Sequence, residues 1–220
     1  MGRRGIQPMH KISTEWSANL AYCIGLIATD GSLSKDGRHI EFISKDRDLV
    51  ETFCRCLGIR NRIGSKVSGY KKNSLAFRVQ FGDVAFYRWL LGLGLTPNKS
   101  LTIGELKIPD EFFFDFLRGS FDGDGTIYSF RDERWKNSFM FYVRFVSASK
   151  KHLEWLQAAI HRLLAVRGII RQNTRAYHIV FAKRSTRKIL EKIYAVPDAP
   201  CLERKLAKCR KILTIDTQRA

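Results

Sequence analysis

The chain has 220 residues, 45% of them hydrophobic, enough for one compact domain or two small ones with a full core. Thirty-nine Lys and Arg against 21 Asp and Glu leave a formal charge of +18, the electrostatic footprint of a polyanion binder rather than of a surface kept basic for solubility alone. The five cysteines lack zinc-site or disulfide-framework spacing, and no stretch nears the roughly 18 apolar residues of a membrane span; an intracellular protein (cytoplasmic or organellar) with reduced thiols, no secretion signal and no membrane partner is expected.

Along the first half, Trp16, Leu20, Ile24 and Ile27 recur at helical spacing, which predicts a helix from about Thr14 to Asp30 stopped by Gly31. Lys35-Asp-Gly37 reads as a hairpin turn into a strand over Arg38–Ser44, and a helix from about Asp46 to Leu57 is closed by Gly58. In the strand Ser74–Phe81, Leu75, Phe77, Val79 and Phe81 share one face and Arg78 and Gln80 lie on the other. A helix from about Asp83 to Leu93 leads into Gly94-Leu-Thr-Pro-Asn-Lys-Ser-Leu101.

The second half repeats this order. After Pro109 comes an apolar helix, then a longer hairpin with Arg131–Asn137 at its tip, and a strand over Ser138–Ser147 with Phe139, Phe141, Val143 and Phe145 inward and Tyr142 and Arg144 outward. A helix near Lys150–Val166 follows, then a strand Ala176–Ala182, whose Tyr177, Ile179 and Phe181 match Phe77, Val79 and Phe81 at a constant offset of 100. Cys201–Leu213 forms a basic final helix. Each half thus folds as helices on one face of an antiparallel sheet, and apart from Glu41 the outward positions are nearly free of acids.

One segment recurs almost intact: Cys23-Ile-Gly-Leu-Ile-Ala-Thr-Asp-Gly31 and Leu117-Arg-Gly-Ser-Phe-Asp-Gly-Asp-Gly125. Gly25 and Thr29, like Gly119 and Gly123, sit one turn apart, and small residues at that spacing let two helices cross with their backbones nearly touching. Such a crossing places Asp30 and Asp124 side by side at two helix C-termini, where the dipole disfavours a carboxylate and a second carboxylate disfavours it further. The pair calls for a compensating cation, and oxygen-only ligation suits magnesium (Mg2+) or manganese (Mn2+). The alternative, two polar helix stops before glycine, suits one copy better than two. The five histidines are scattered without metal-ligand spacing.

Both segments resemble the LAGLIDADG motif, and the chain is similar to monomeric two-motif LAGLIDADG homing endonucleases from about Glu15 to Leu213, including Leu95–Leu101 and the related Val196–Lys205. The resemblance implies an α+β fold of two pseudo-symmetric αββαββα half-domains, 1–107 and 108–220, with motif helices packed at the centre and antiparallel sheets forming a DNA-binding saddle. It implies metal binding by Asp30 and Asp124, the eighth motif residues, with carbonyls of Thr29 and Gly123 added. Cys23 and Ala28 depart from the pattern in the first copy, where the second keeps Leu117 and Asp122.

The implied activity is intron homing by a site-specific nuclease, a hydrolase that cuts both strands of a long asymmetric duplex and acts as a monomer. Lys45 and Lys99 are catalytic candidates where the family tends to place basic residues. In the second half, strict alignment sets Ala148 opposite Lys45, a one-residue shift brings in Lys150, and Lys205 or Arg204 parallels Lys99. Two sheets of strands about ten residues long span on the order of 65 Å, or about 20 base pairs. Arg38, Lys66, Arg78, Gln80, Tyr142, Arg144 and His178 are candidate DNA contacts. Two alternatives stand on the same scaffold: a maturase that binds host intron RNA, and a DNA-binding regulator without catalysis.

Overall fold

The computed structural model describes residues 12–67, 75–131 and 138–218. The first half runs α1 (Ala18–Asp30), β1 (Gly31–Leu33), β2 (His39–Ser44), α2 (Arg47–Leu57), β3 (Gly64–Val67), β4 (Leu75–Gly82) and α3 (Val84–Leu93). After a 3-10 turn at Asp110–Phe112, the second runs α4 (Phe113–Asp124), β5 (Thr126–Arg131), β6 (Phe139–Ser147), α5 (Lys150–Leu164), β7 (Ile169–Asn173), β8 (Ala176–Ala182) and α6 (Lys183–Ile193). A last helix, α7 (Glu203–Thr217), follows. The order αββαββα therefore occurs twice, and the two antiparallel sheets have matching strand orders, β1-β2-β4-β3 and β5-β6-β8-β7.

Several boundaries move for local reasons. The first helix starts at Ala18 rather than Thr14, because Ser17 holds an extended backbone and its hydroxyl accepts the Leu20 amide at 3.2 Å. Trp16 consequently lies ahead of the helix, 5.3 Å from the Trp89 ring and 6.0 Å from that of Phe112. Gly31 does stop α1, but with φ −85° rather than in the left-handed region. Its need for glycine is spatial, since a Cβ there would stand 2.6 Å from Ile27 Cα. Ser74 and the hairpin tip 132–137 fall outside the described residues.

In both sheets the inward residues meet helices and the outward ones do not. Ile40, Phe42, Val79 and Phe81 in one sheet, and Phe141, Val143, Phe145, Ile179 and Phe181 in the other, are buried. Leu75, expected inward, is 52% exposed. It opens β4 opposite Val67, the last residue of β3, at the end of the ladder next to the connection between the two strands. Among the described residues no helix is long and apolar enough to cross a membrane, and the five cysteines are free.

The two halves join through α1 and α4. A Cβ on Gly25 would land on the Phe116 carbonyl oxygen and lie 2.7 Å from the Ser120 nitrogen; one on Gly119 would land on the Tyr22 carbonyl oxygen. Tyr22, Ile24, Leu26, Phe116, Leu117 and Phe121 are completely buried around this crossing. Gly25→Ala and Gly119→Ala should each cost at least about 3 kcal/mol, because the obstacle is backbone that cannot turn aside. Gly92→Ala, on an exposed face of α3 with nothing in reach, should instead gain about 0.5–1 kcal/mol. Urea unfolding of the three variants checks the contrast.

Candidate active site between the motif helices

The crossing brings the C-terminal ends of α1 and α4 together. Thr29 and Asp30 face Gly123 across it: a Cβ on Gly123 would strike the Thr29 hydroxyl and stand 3.1 Å from Asp30 Oδ2. The Thr29 hydroxyl bonds back to the Leu26 carbonyl at 3.0 Å, which turns it along its own helix. Burial, and then the neighbouring charge of Asp124, raise the Asp30 carboxyl to about 7. Burial also raises that of Asp124. The charges of Lys205 and Lys99 oppose both shifts.

Those two lysines occupy related places. Lys99 is 5% exposed and its ammonium donates to the carbonyl of Gly31, the residue after Asp30. Lys205 donates to the carbonyl of Gly125, the residue after Asp124, at 2.7 Å. It also donates to the last-turn carbonyls of Phe121 (2.6 Å), Asp122 (2.9 Å) and Gly123 (3.0 Å). Each ammonium thus meets the negative end of a motif helix and satisfies carbonyls that helix geometry leaves open. Burial lowers both lysines to about 8. The lysines are carried by segments that begin alike, Pro97-Asn98 and Pro197-Asp198, with φ 57° and 58° at the Asn and Asp. The second segment is longer before it reaches its lysine.

Lys45 and Lys150 are not among the charges acting on the two acids. Lys45 is exposed after β2 and acts on Asp46. The strand register settles its counterpart: Ser44 pairs with Phe77 and Ser147 with Tyr177, so Lys45 corresponds to Ala148. Lys150 corresponds to Arg47 at the start of the following helix. Arg47 pairs with Glu51 at 2.8 Å and Lys150 with Glu154 at 2.9 Å, one turn along in each case. Ala148 lines a cavity of about 260 Å³ beside Thr29, Lys99, Asp124 and the buried Ser120 hydroxyl.

A buried network, which residue patterns alone did not reveal, braces the site. Arg118, 2% exposed, donates to the carbonyls of Pro200 (2.9 Å) and Ile193 (3.0 Å) and to Asp115 (2.8 Å), with its guanidinium over the Tyr22 ring. Asp122 accepts from the Tyr22 hydroxyl at 2.8 Å and the Leu202 amide at 2.7 Å, so this carboxylate binds the two halves and the Lys205 segment together. Its one sequence signal was an Arg and an Asp inside an otherwise apolar helix. Arg204, the other candidate parallel to Lys99, holds Asp46 of the first half through two bonds of 2.8 and 2.6 Å.

The donor set suits a hard cation. Among the described residues no three His, Cys, Asp or Glu side chains cluster to hold a metal. The oxygen donors that meet here are the carboxylates of Asp30 and Asp124, with the Gly123 carbonyl engaged by Lys205. Oxygen donors of this kind, completed by water and substrate oxygens, fit Mg2+ or Mn2+ and not zinc.

The sheet candidates separate into two faces. Lys66, Arg78 and Gln80 share the outward face of the first sheet, where Arg78 donates to Glu41 at 3.0 Å. Tyr142, Arg144 and His178 share that of the second. Arg38 is exposed one residue before β2, in the alternation of Ile40 rather than of Glu41.

Comparison with known proteins agrees with this architecture. Residues 111–194 match the family model of the LAGLIDADG-like domain. The uncharacterized protein MJ0314 of Methanocaldococcus jannaschii is 28% identical over 131 residues, 56% of this chain and 46% of that protein's length. Among solved structures, the homing endonuclease I-WcaI bound to its DNA recognition sequence superposes with a TM-score of 0.61 at 14% identity, covering 87% of this chain and 88% of that one. Full-length DUF199/WhiA from Thermatoga maritima gives 0.58 at 15%, covering 93% of this chain and 63% of its own. I-DmoI in complex with DNA and Mn gives 0.52 at 17%, covering 81% and 97%. The chain thus spans less than half of the curated relative and under two thirds of WhiA. At these identities the structural likeness establishes the fold.

The Asp30 shift has a thermodynamic consequence. A carboxyl raised from 3.8 to about 7 by folding stabilises the native state below its unfolded value, and that contribution is lost as pH rises through about 7. In metal-free buffer Asp30→Asn should therefore be more stable than the parent, by on the order of 2–4 kcal/mol above about pH 7. The gap should shrink towards zero near pH 4, and unfolding curves across that range measure it.

Proposed function

We propose that the protein is a metal-dependent homing endonuclease that hydrolyses phosphodiester bonds on both strands of a long, asymmetric DNA duplex, acting as a monomer. The observation that carries this reading is the meeting of two carboxylates, Asp30 partly buried and Asp124 open to solvent, at two helix ends whose dipoles disfavour both. Asp30 and Asp124, with the carbonyls of Thr29 and Gly123, would hold a divalent metal, which would supply an electrophile for phosphate oxygens and acidify a water. The homing endonuclease scaffold, the DNA in the I-WcaI complex and the Mn in the I-DmoI complex support the same reading.

The chain's own residues supply the rest. Lys99 and Lys205 are cationic at neutral pH, yet burial loosens their protons to about 8. Each is suited to stabilise charge on the pentavalent phosphate or to protonate the departing 3′ oxygen. The outward faces of the two sheets meet the duplex, with Lys66, Arg78, Gln80, Arg144 and His178 as contacts and Arg38 at the margin. With Ala148 in the place of Lys45, the two halves present unequal surroundings to the two strands.

Selection from a randomised duplex library provides a target for the test. Asp30→Asn and Asp124→Asn should each lower cleavage at least about a hundredfold while duplex binding persists. Chelation should stop the parent, and Mg2+ or Mn2+ should restore it. Cleavage at parental rate by both variants sinks the reading. A second reading, a DNA-binding regulator without catalysis, draws on the hold of Lys205 on the Gly123 carbonyl, an oxygen that a metal would need. It requires tight duplex binding and no nicked product at any metal concentration.

A further inference from the structure

The outward faces of the two sheets differ in chemistry. Paired residues in an antiparallel ladder point the same way, so the register identifies each face. In the first sheet His39, Glu41, Lys66, Arg78 and Gln80 share the outward side with two apolar residues, Ile43 and Ala76. In the second, Tyr128 pairs with Tyr142, Phe130 with Met140, Arg144 with Val180, Val146 with His178 and Ile169 with Val180. No acid lies on this second face among the described residues.

The apolar residues there form an ordered surface. The Tyr128 and Tyr142 rings lie 5.4 Å apart and 15° from parallel, and Phe130 stacks on Tyr142 at 5.8 Å and 7°. The Arg144 guanidinium closes the other end, 5.9 Å from the Tyr128 ring centre, with its buried Nε unpaired among the described residues. Phe130 is 45% and Ile169 60% exposed. Between them lies a hollow of about 290 Å³, lined also by Arg171 and His178.

In the major groove the only apolar group on a base edge is the C5-methyl of thymine; every other signal is a hydrogen-bond donor or acceptor. The stretch of this face made by Tyr128, Tyr142 and Phe130 with Met140, Val180 and Ile169 presents ring faces and branched side chains, over which base donors and acceptors would find few partners. It gains by covering methyl groups, while Arg144, His178 and Arg171, which share the face with it, meet phosphates. We propose that the second sheet is a thymine-methyl reader, so that the target is chemically asymmetric: a thymine-rich half under β5–β8, and a half read by hydrogen bonds under β1–β4. The inference rests on the DNA-binding reading above and specifies the substrate of that same surface.

The test uses the full chain and binding rather than cleavage. Duplexes are selected from a randomised library in Ca2+, and the selected site is then remade with uracil for thymine in one half at a time. Uracil removes the methyl and leaves pairing intact. Each covered methyl that is lost should weaken binding up to about fourfold, in one half-site only. Phe130→Ser, or Ile169→Ser should the first misfold, should abolish that uracil sensitivity; both side chains are exposed enough to leave the core unaltered. Specific binding that is indifferent to uracil in either half overturns the methyl reader and leaves the DNA-binding reading standing. Uracil sensitivity that survives in both variants also overturns it. Failure to select any duplex overturns both.

Discussion

Everything at the centre of this protein depends on the backbone contact between α1 and α4. Two glycines, Gly25 and Gly119, let each helix rest on carbonyl oxygens of the other. Helices separated by even one methyl on each side would diverge, and their ends would no longer share a space small enough for one acid to feel the other. The large buried rings around the crossing fill the volume that the glycines leave and fix its angle.

That closeness creates an electrostatic problem. Two carboxylates at two negative helix ends, Asp30 partly buried and Asp124 more open to water, repel each other. The protein answers with one ammonium per half, Lys99 on the Gly31 carbonyl after α1 and Lys205 on three carbonyls of the last turn of α4 and that of Gly125 after it. The answer is partial, because the Asp30 carboxyl still lies near 7.

The lysines reach their places because their segments are tied across the molecule. Ser149 donates to the Ile103 carbonyl, and Arg204 grips Asp46, so the segment after each half leans on the other half. Arg118 and Asp122 anchor the second segment from inside α4. Removing either partner would leave a buried charge or carbonyl unpaired, at a cost of several kcal/mol. The division of labour within the second motif is therefore plain: Gly119 makes the contact, Asp122 holds the frame and Asp124 faces the shared space.

Much of this was legible in the chain. Period-two alternation identified the four long strands and their buried faces, and the repeated segment identified the motif helices and their glycines, because both signals are local and carried by side-chain type. The short strands β1, β3 and β7 were not separately visible, since three to five residues carry too little periodicity. The start of α1 was missed because a single serine cap outweighed continued apolar spacing. Among the cations, the sequence offered Lys45, Lys99 and Lys150, with Lys205 or Arg204 only as parallels of Lys99. Only the folded chain sorted them: strand register matched Lys45 with Ala148, an i,i+4 ion pair engaged Lys150, Arg204 was drawn to Asp46, and a long loop carried Lys205 onto the end of α4. By itself the sequence determined the duplication, the helix contact and the paired acids, which follow from spacing within one element. Which cations stand beside those acids was decided by tertiary structure, because charges far apart in the chain meet only when loops of unequal length close over a shared centre.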